Sequence, residues 1–200
     1  GKTSLLTRLN YNFKEKYYIT FTARADGGSN FADDHEWAFF PSGALKWNIP
    51  GEDFMKNVKW IDEAAVRLSL GRSGNDGIAE YLSLDQLRST TGGYLFGGKQ
   101  PVSFYPSRMK NKKLTWEKTD TYNLALDLSF FKNRLNITAE GYLSYTKDLL
   151  LNLQLPPPPG YNQTLKTIGE TPNKGVELSI ESKNIIGAKF SWLTSFTVSV

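Results

Sequence analysis

The sequence predicts an all-β protein: an antiparallel meander of about eight long strands, each able to cross a bilayer as a stave of a transmembrane barrel. Three observations predict it. Long segments alternate apolar and polar residues with a period of two, the signature of a strand with two different faces. The segments are longer than the roughly 5 to 6 residues of an ordinary strand and reach the about 9 to 11 that a tilted strand needs to cross a bilayer. The connections between them alternate short and long, which in a meander sends all short turns to one end and all long loops to the other, as in outer-membrane barrels. The 200-residue chain has a mean hydropathy of −0.41 and holds no run near the roughly 18 apolar residues of a helical span. A barrel tolerates that mean because only every second residue faces lipid, while aromatics, here 14%, are plentiful.

The strands follow in order. The first, about Ser4 to Phe13, sets Leu5, Leu9, Tyr11 and Phe13 against Arg8, Asn10 and Asn12. The second, about Tyr17 to Asp26, sets Ile19, Phe21, Ala23 and Ala25 against Thr20, Thr22, Arg24 and Asp26. In the third, about Trp37 to Ile49, the aromatics Trp37 and Trp47 share a face about ten residues apart, roughly 25 Å along the membrane normal at a tilt near 40°. That is the spacing of two aromatic girdles. Pro41 and Gly43 on the same face suggest a local bulge or bend. A fourth strand, around Ala64 to Arg72, places Val66, Leu68 and Leu70 opposite Arg67 and Ser69.

The clearest pair is the hairpin from Glu117 to Leu150, turned at Lys132-Asn133-Arg134. Tyr122, Leu124, Leu126, Leu128 and Phe130 oppose Thr121, Asn123, Ala125, Asp127 and Ser129. In the return arm, Leu135, Ile137, Ala139, Gly141, Leu143 and Tyr145 oppose Asn136, Thr138, Glu140, Tyr142, Ser144 and Thr146. A seventh strand near Gly175 to Ser182 and an eighth from about Lys189, joined through Asn184-Ile185-Ile186-Gly187, complete the set. Turning Arg8, Arg24 or Arg67 toward lipid at mid-depth would cost about 2 to 4 kcal/mol each, so these face the lumen. The long connections are roughly Gly27 to Glu36, Ser73 to Trp116, and Leu151 to Asn173.

Composition excludes several chemistries. Cysteine is absent, which removes disulfides, thiolate metal sites and cysteine nucleophiles. The net charge of +4 comes from scattered residues with no stripe or recognition helix, so no nucleic acid is expected as a partner. The chain opens on Gly1-Lys2-Thr3 without an initiator Met or a signal segment and stops inside an alternating run, so it reads as a fragment of something larger.

Individual motifs carry little chemistry. Gly1-Lys2-Thr3-Ser4 resembles the end of a phosphate-binding loop but leads into a strand where a helix is needed. Asp33-Asp34-His35-Glu36 offers metal-ligand types, yet neighbours in an extended segment point to opposite sides, and an acidic surface loop is the expectation. His35 is the single histidine and no Gly-x-Ser-x-Gly elbow accompanies it, so no catalytic residue, cofactor site or metal site is assigned and the chain is not expected to be an enzyme. Asn75-Asp76-Gly77 reads as a turn, and Pro156 to Pro159 as a stiff element within a loop.

Several stretches resemble the SusC/RagA group of TonB-dependent outer-membrane transporters of Bacteroidetes. They are Arg24-Ala25-Asp26-Gly27-Gly28-Ser29-Asn30-Phe31 with Phe40-Pro41-Ser42, then Val66-Arg67-Leu68-Ser69 through Gly71-Arg72-Ser73-Gly74-Asn75. Leu114-Thr115-Trp116-Glu117-Lys118-Thr119 follows, with Phe130-Phe131-Lys132-Asn133-Arg134-Leu135, Thr146-Lys147-Asp148-Leu149-Leu150 and Asn173-Lys174-Gly175-Val176-Glu177-Leu178. They keep the family's order and belong to the C-terminal part of its barrel. Asp76 stands where a Gln is common, and Ser73 to Trp116 carries no assignable pattern.

The resemblance implies a barrel of about 22 strands, of which residues 1–200 supply a partial barrel domain, the plug domain and remaining strands lying outside the chain. It also implies outer-membrane import of oligosaccharides or peptides, with a SusD-like surface lipoprotein as lid. Energy would come from the TonB–ExbB–ExbD complex acting through the missing N-terminal region. Outer-membrane lipid would surround the wall. For cargo contact, aromatics in the long loops qualify by type: Tyr81, Tyr94, Phe96, Phe104 and Tyr105. Two other readings of the pattern are a self-contained eight-stranded outer-membrane barrel with a structural or adhesion role, and a soluble β-rich binding module.

Overall fold

The computed structural model describes all residues except 32–33, 78–83, 92–94, 96, 112 and 155–162. Its strands are β1 (Lys2–Phe13), β2 (Tyr17–Gly28), β3 (Trp37–Asn48), β4 (Ile61–Asn75), β5 (Gln86–Thr91), β6 (Val102–Met109), β7 (Glu117–Phe130), β8 (Leu135–Lys147), β9 (Leu150–Gln154), β10 (Gln163–Thr167), β11 (Glu170–Ile186) and β12 (Ser191–Ser199). Eight of them form one antiparallel sheet in the order β1-β2-β3-β4-β7-β8-β11-β12. These are the eight strands expected from the alternation. Most are 12 to 17 residues long, more than a bilayer crossing requires.

Register turns the alternation into two continuous faces. Leu68, Leu124 and Gly141 share one row, as do Arg67, Ala125 and Glu140 in the next. Because directly paired residues point to the same side, most large apolar residues of the eight strands fall on one face, Leu6 and Leu193 being exceptions, and Arg8, Arg67, Asn123, Asp127 and Glu140 fall on the other. The apolar face is bare, with Leu5 70%, Val176 63% and Leu124 58% exposed. A soluble module does not leave so broad an apolar surface uncovered, whereas a lipid-facing wall does. The sheet is also open: among the described residues β1 and β12 do not pair, as an eight-stranded barrel closed on itself would require.

Three expectations need correction. Pro41 and Gly43 make no bulge, because β2 and β3 pair without a register shift from Tyr17↔Trp47 to Gly27↔Trp37. The ladder from β3 to β4 instead ends at Ser42, one residue short of Pro41, which has no N–H to donate. β11 is longer than expected and runs through Asn184-Ile185-Ile186, with a register shift between Lys183 and Ile185, and the turn is made at residues 187–190. Finally, the connections thought to lack strands build a second sheet in the order β5-β6-β10-β9, in which β6 and β10 run parallel. It joins segments from two different loops.

Short turns close the opposite end. In the β7–β8 turn, Phe131, Lys132 and Asn133 have φ of 57°, 60° and 58°. Left-handed backbone costs a residue with a Cβ roughly 1 to 2 kcal/mol. Asn133 is held there by Ser129 and by its own amide donating to Asp62, but Lys132 has no such compensation. Lys132→Gly should therefore raise the stability of the folded barrel by about 1 kcal/mol, read as a higher denaturant midpoint.

Candidate functional site

The polar face carries a hydrogen-bonded charge network where β4, β7 and β8 meet. Arg67 donates through Nε and Nη2 to the two carboxylate oxygens of Asp127, at 2.5 and 3.1 Å. Glu140 Oε2 lies 3.9 Å from the same guanidinium. The Thr138 hydroxyl donates to Asp127 at 3.2 Å, and the Asn123 amide donates to Glu140. Register explains how these groups fit. Ala125 stands directly across from Arg67, and Ala65 across from Asp127, so small side chains leave room for the long ones to cross diagonally. Lys46 continues the network to Glu63 at 2.9 Å. Arg67 and Asp127 were each expected on the lumen side; their bidentate pairing depends on a register between residues 60 apart. Such a face is wettable and fixed in shape, and among the described residues it presents no nucleophile and base in a catalytic arrangement.

At the loop-bearing end, three connections are tied by one aromatic cluster. Trp116 stacks on Phe31 with ring centroids 4.6 Å apart and meets the edge of Phe40 at 5.5 Å. Its indole N–H donates to the Glu36 carbonyl at 3.1 Å. Leu114 and Leu165 complete the cluster, with Ala38 and Leu150 against it. A Cβ at Gly74 would run into the Phe40 ring, which is why the strand carries glycine there. The cluster joins the segment after β2, the segment before β7, and β10, and so seats the second sheet on the wall.

At the short-turn end, Glu52 gathers three donors: Lys16 Nζ at 2.9 Å, the Tyr17 hydroxyl at 2.8 Å and the Trp47 indole N–H at 3.2 Å. Tyr17 and Trp47 pair on the apolar face, so this carboxylate fixes two aromatics of the rim. The Lys16 ammonium, followed by the Tyr17 hydroxyl, holds the Glu52 carboxyl below its usual range, and Glu52 in turn holds Lys16 above its own. A lowered carboxylate pKa adds stability that is complete above the ordinary value of about 4.3 and is lost as pH falls through the folded value. For Lys16 the contribution is complete below about 10.4 and is lost as pH rises through its raised value. Between pH 5 and 3 the thermal midpoint of the wild type should therefore drop more steeply than that of Glu52→Gln.

Of the loop aromatics chosen by type, Phe104 and Tyr105 lie on β6 and are 70% and 40% exposed. Being consecutive, they point to opposite sides of the second sheet. Tyr81, Tyr94 and Phe96 lie outside the described residues, as do Asp33 and the Pro156 to Pro159 run. Asp34 and Glu36 are exposed, and no group of three His, Asp or Glu side chains converges among the described residues. Gly77 closes the expected turn by donating its amide to Asn75 Oδ1 at 2.9 Å. The Glu52 hub and the Trp116 cluster were not foreseen, although Trp47, Phe31, Phe40 and Trp116 had all been singled out.

Comparison with known proteins gives this geometry a family. The model for TonB dependent receptor-like β-barrels matches residues 2–199. TonB-dependent receptor P3 of Formosa agariphila is 40% identical over 197 residues, covering 98% of this chain and 19% of that protein. TonB-dependent receptor SusC of Bacteroides thetaiotaomicron is 36% identical over 200 residues, covering 98% and 20%. In structure, a chain of the RagAB peptide importer in its closed-closed state superposes with a TM-score of 0.88 at 25% identity, over 99% of this chain and 21% of that one. The chain thus spans about a fifth of the length of the curated relatives it matches.

Proposed function

Because the chain belongs to the TonB dependent receptor-like β-barrel family, we propose that it is one arc of the wall of a SusC/RagA-like importer, working by gated passage of a bound solute and not by covalent chemistry. Receptors of this family lie in the outer membrane. The observation that carries the reading is the open eight-stranded sheet with one apolar face and one face wetted by the Arg67, Asp127 and Glu140 network. A plug domain and further strands complete the barrel elsewhere in the full-length protein. The polar face lines the passage, and the loop-bearing end receives cargo and a SusD-like surface lipoprotein.

Oligosaccharides and peptides are the cargo classes, with the TonB–ExbB–ExbD complex as the energy source. The likeness to the RagAB peptide importer supports the peptide class. Exposed Phe104 and Tyr105 supply stacking surfaces for either. The test is uptake of labelled glycans and peptides by cells with and without the full-length transporter. Import of one cargo class that is abolished by deleting the transporter, and equally by removing TonB, is the expected result. Uptake unchanged by the deletion across the panel would overturn the reading.

A further inference from the structure

A band of lysines stands on the outward face of the wall near its loop-bearing end. Lys118 and Lys147 stand twelve residues above Phe130 and Leu135, the turn-side ends of β7 and β8. At about 3.3 Å per residue and a tilt near 40°, that is roughly 30 Å above the turn rim. The apolar band of such a wall is about 25 Å tall, so these two lysines reach the headgroup layer of the loop-side leaflet, and Lys174, level with Leu143 four residues below Lys147, lies under them at the top of the apolar band. Their direction follows from register. Lys118 pairs with Lys147, and Lys174 with Leu143, in the parity of Leu124 and Val176.

The surrounding charges leave this band positive. Arg72 and Asp120, on the same face, neutralise each other through two hydrogen bonds of 2.6 and 2.9 Å. Lys147 and Lys118 both lie close enough to act on Asp120. Glu170 stands across from Lys147 in register without an ion pair. Among the described residues none of the three lysines has a hydrogen-bond or ion-pair partner.

Below the band the outward surface is grooved. Ala139 and Gly141 lower it between Leu124, Leu126, Val66 and Val176, leaving a furrow of about 340 Å³. The furrow continues upward to the row of Tyr122, Leu143 and Lys174. We propose that this surface binds a phosphorylated, acylated lipid of the loop-side leaflet, with its phosphate at Lys118 and Lys147, Lys174 extending up to it from the row below, and an acyl chain in the furrow over Ala139 and Gly141. The charge complementarity names the occupant: unpaired ammonium groups at headgroup height call for an anion, and an apolar channel leading away from them at hydrocarbon depth calls for a chain attached to it. The proposal rests on the chain's being a membrane wall and is independent of what the transporter imports.

The test is native mass spectrometry of the full-length transporter in non-ionic detergent, titrated with bisphosphorylated lipid A, its dephosphorylated form, phosphatidylcholine, or inorganic phosphate. The wild type should hold the phosphorylated lipid at least tenfold more tightly than the dephosphorylated form or the zwitterionic phosphatidylcholine, neither of which carries a net negative charge. Combined Lys118→Gln, Lys147→Gln and Lys174→Gln should erase that preference while cargo binding and barrel migration on gels stay unchanged. Gly141→Leu, which fills the furrow, should weaken both acylated forms several-fold. Equal binding by the wild type and the lysine variant would overturn the proposal. Full competition by inorganic phosphate, with Gly141→Leu without effect, would do so in favour of a free anion.

Discussion

Trp116→Ala is expected to detach the second sheet from the wall while leaving the wall intact. Removing a buried tryptophan from a packed cluster typically costs about 3 to 5 kcal/mol, part in lost transfer energy and part in the cavity left behind. Here the ring touches Phe31 and Phe40 and also satisfies the Glu36 carbonyl, so its loss unties three connections at once. Limited proteolysis of the full-length transporter in membranes should show faster cleavage within β5, β6, β9 and β10, with no change in heat-modifiable barrel migration. Trp116→Phe should do much less, losing mainly one hydrogen bond of about 1 kcal/mol. If Trp116→Ala left loop cleavage unchanged, the cluster would not be what seats the second sheet.

Leu124→Arg is expected to destabilise the barrel by about 2 to 4 kcal/mol, because Leu124 stands on the apolar face of β7 six residues from its turn-side end, at mid-membrane. Thr121→Arg, on the opposite face of the same strand, should cost under about 1 kcal/mol, since it enters a polar lining. The measurement is the denaturant midpoint of the full-length protein refolded into liposomes. Equal costs at the two positions would contradict the assignment of faces.

The wall was legible in the sequence because lipid on one side and water on the other impose a period of two over a dozen residues. Tyr122, Leu124, Leu126 and Leu128 against Asn123 and Asp127 show it most plainly, and register confirms it across every neighbour. Legibility failed where the strands leave the bilayer. Glu170 to Asn173 of β11 and the last residues of β4 pair as strand above the apolar band, so nothing selects alternation there. The second sheet escaped for a related reason. Its strands are 5 to 8 residues long, one contains Pro106, and the parallel contact between β6 and β10 joins segments far apart in sequence.

The same division holds for the site. Arg67 was readable as lumen-facing from the cost of placing it in lipid, but its pairing with Asp127 is a consequence of register, which no local pattern encodes. Trp116 was visible as part of a family-like stretch, while its role needed the approach of Phe31 and Phe40 from another hairpin. Pro41 was read as a bulge because proline disfavours central strands. The structure satisfies the same constraint differently, by ending the β3–β4 ladder one residue before it.

The central claim, that one face of this sheet meets lipid and the other an aqueous interior, is tested most directly by a nitroxide scan along β7. Spin labels are placed singly from Thr121 to Leu126 in the full-length transporter in liposomes, and their collision rates with oxygen and with a water-soluble nickel chelate are compared. Oxygen contact should peak at Tyr122, Leu124 and Leu126 and fall at Thr121, Asn123 and Ala125, a period of two with that phase. A flat profile, or the opposite phase, would contradict the account.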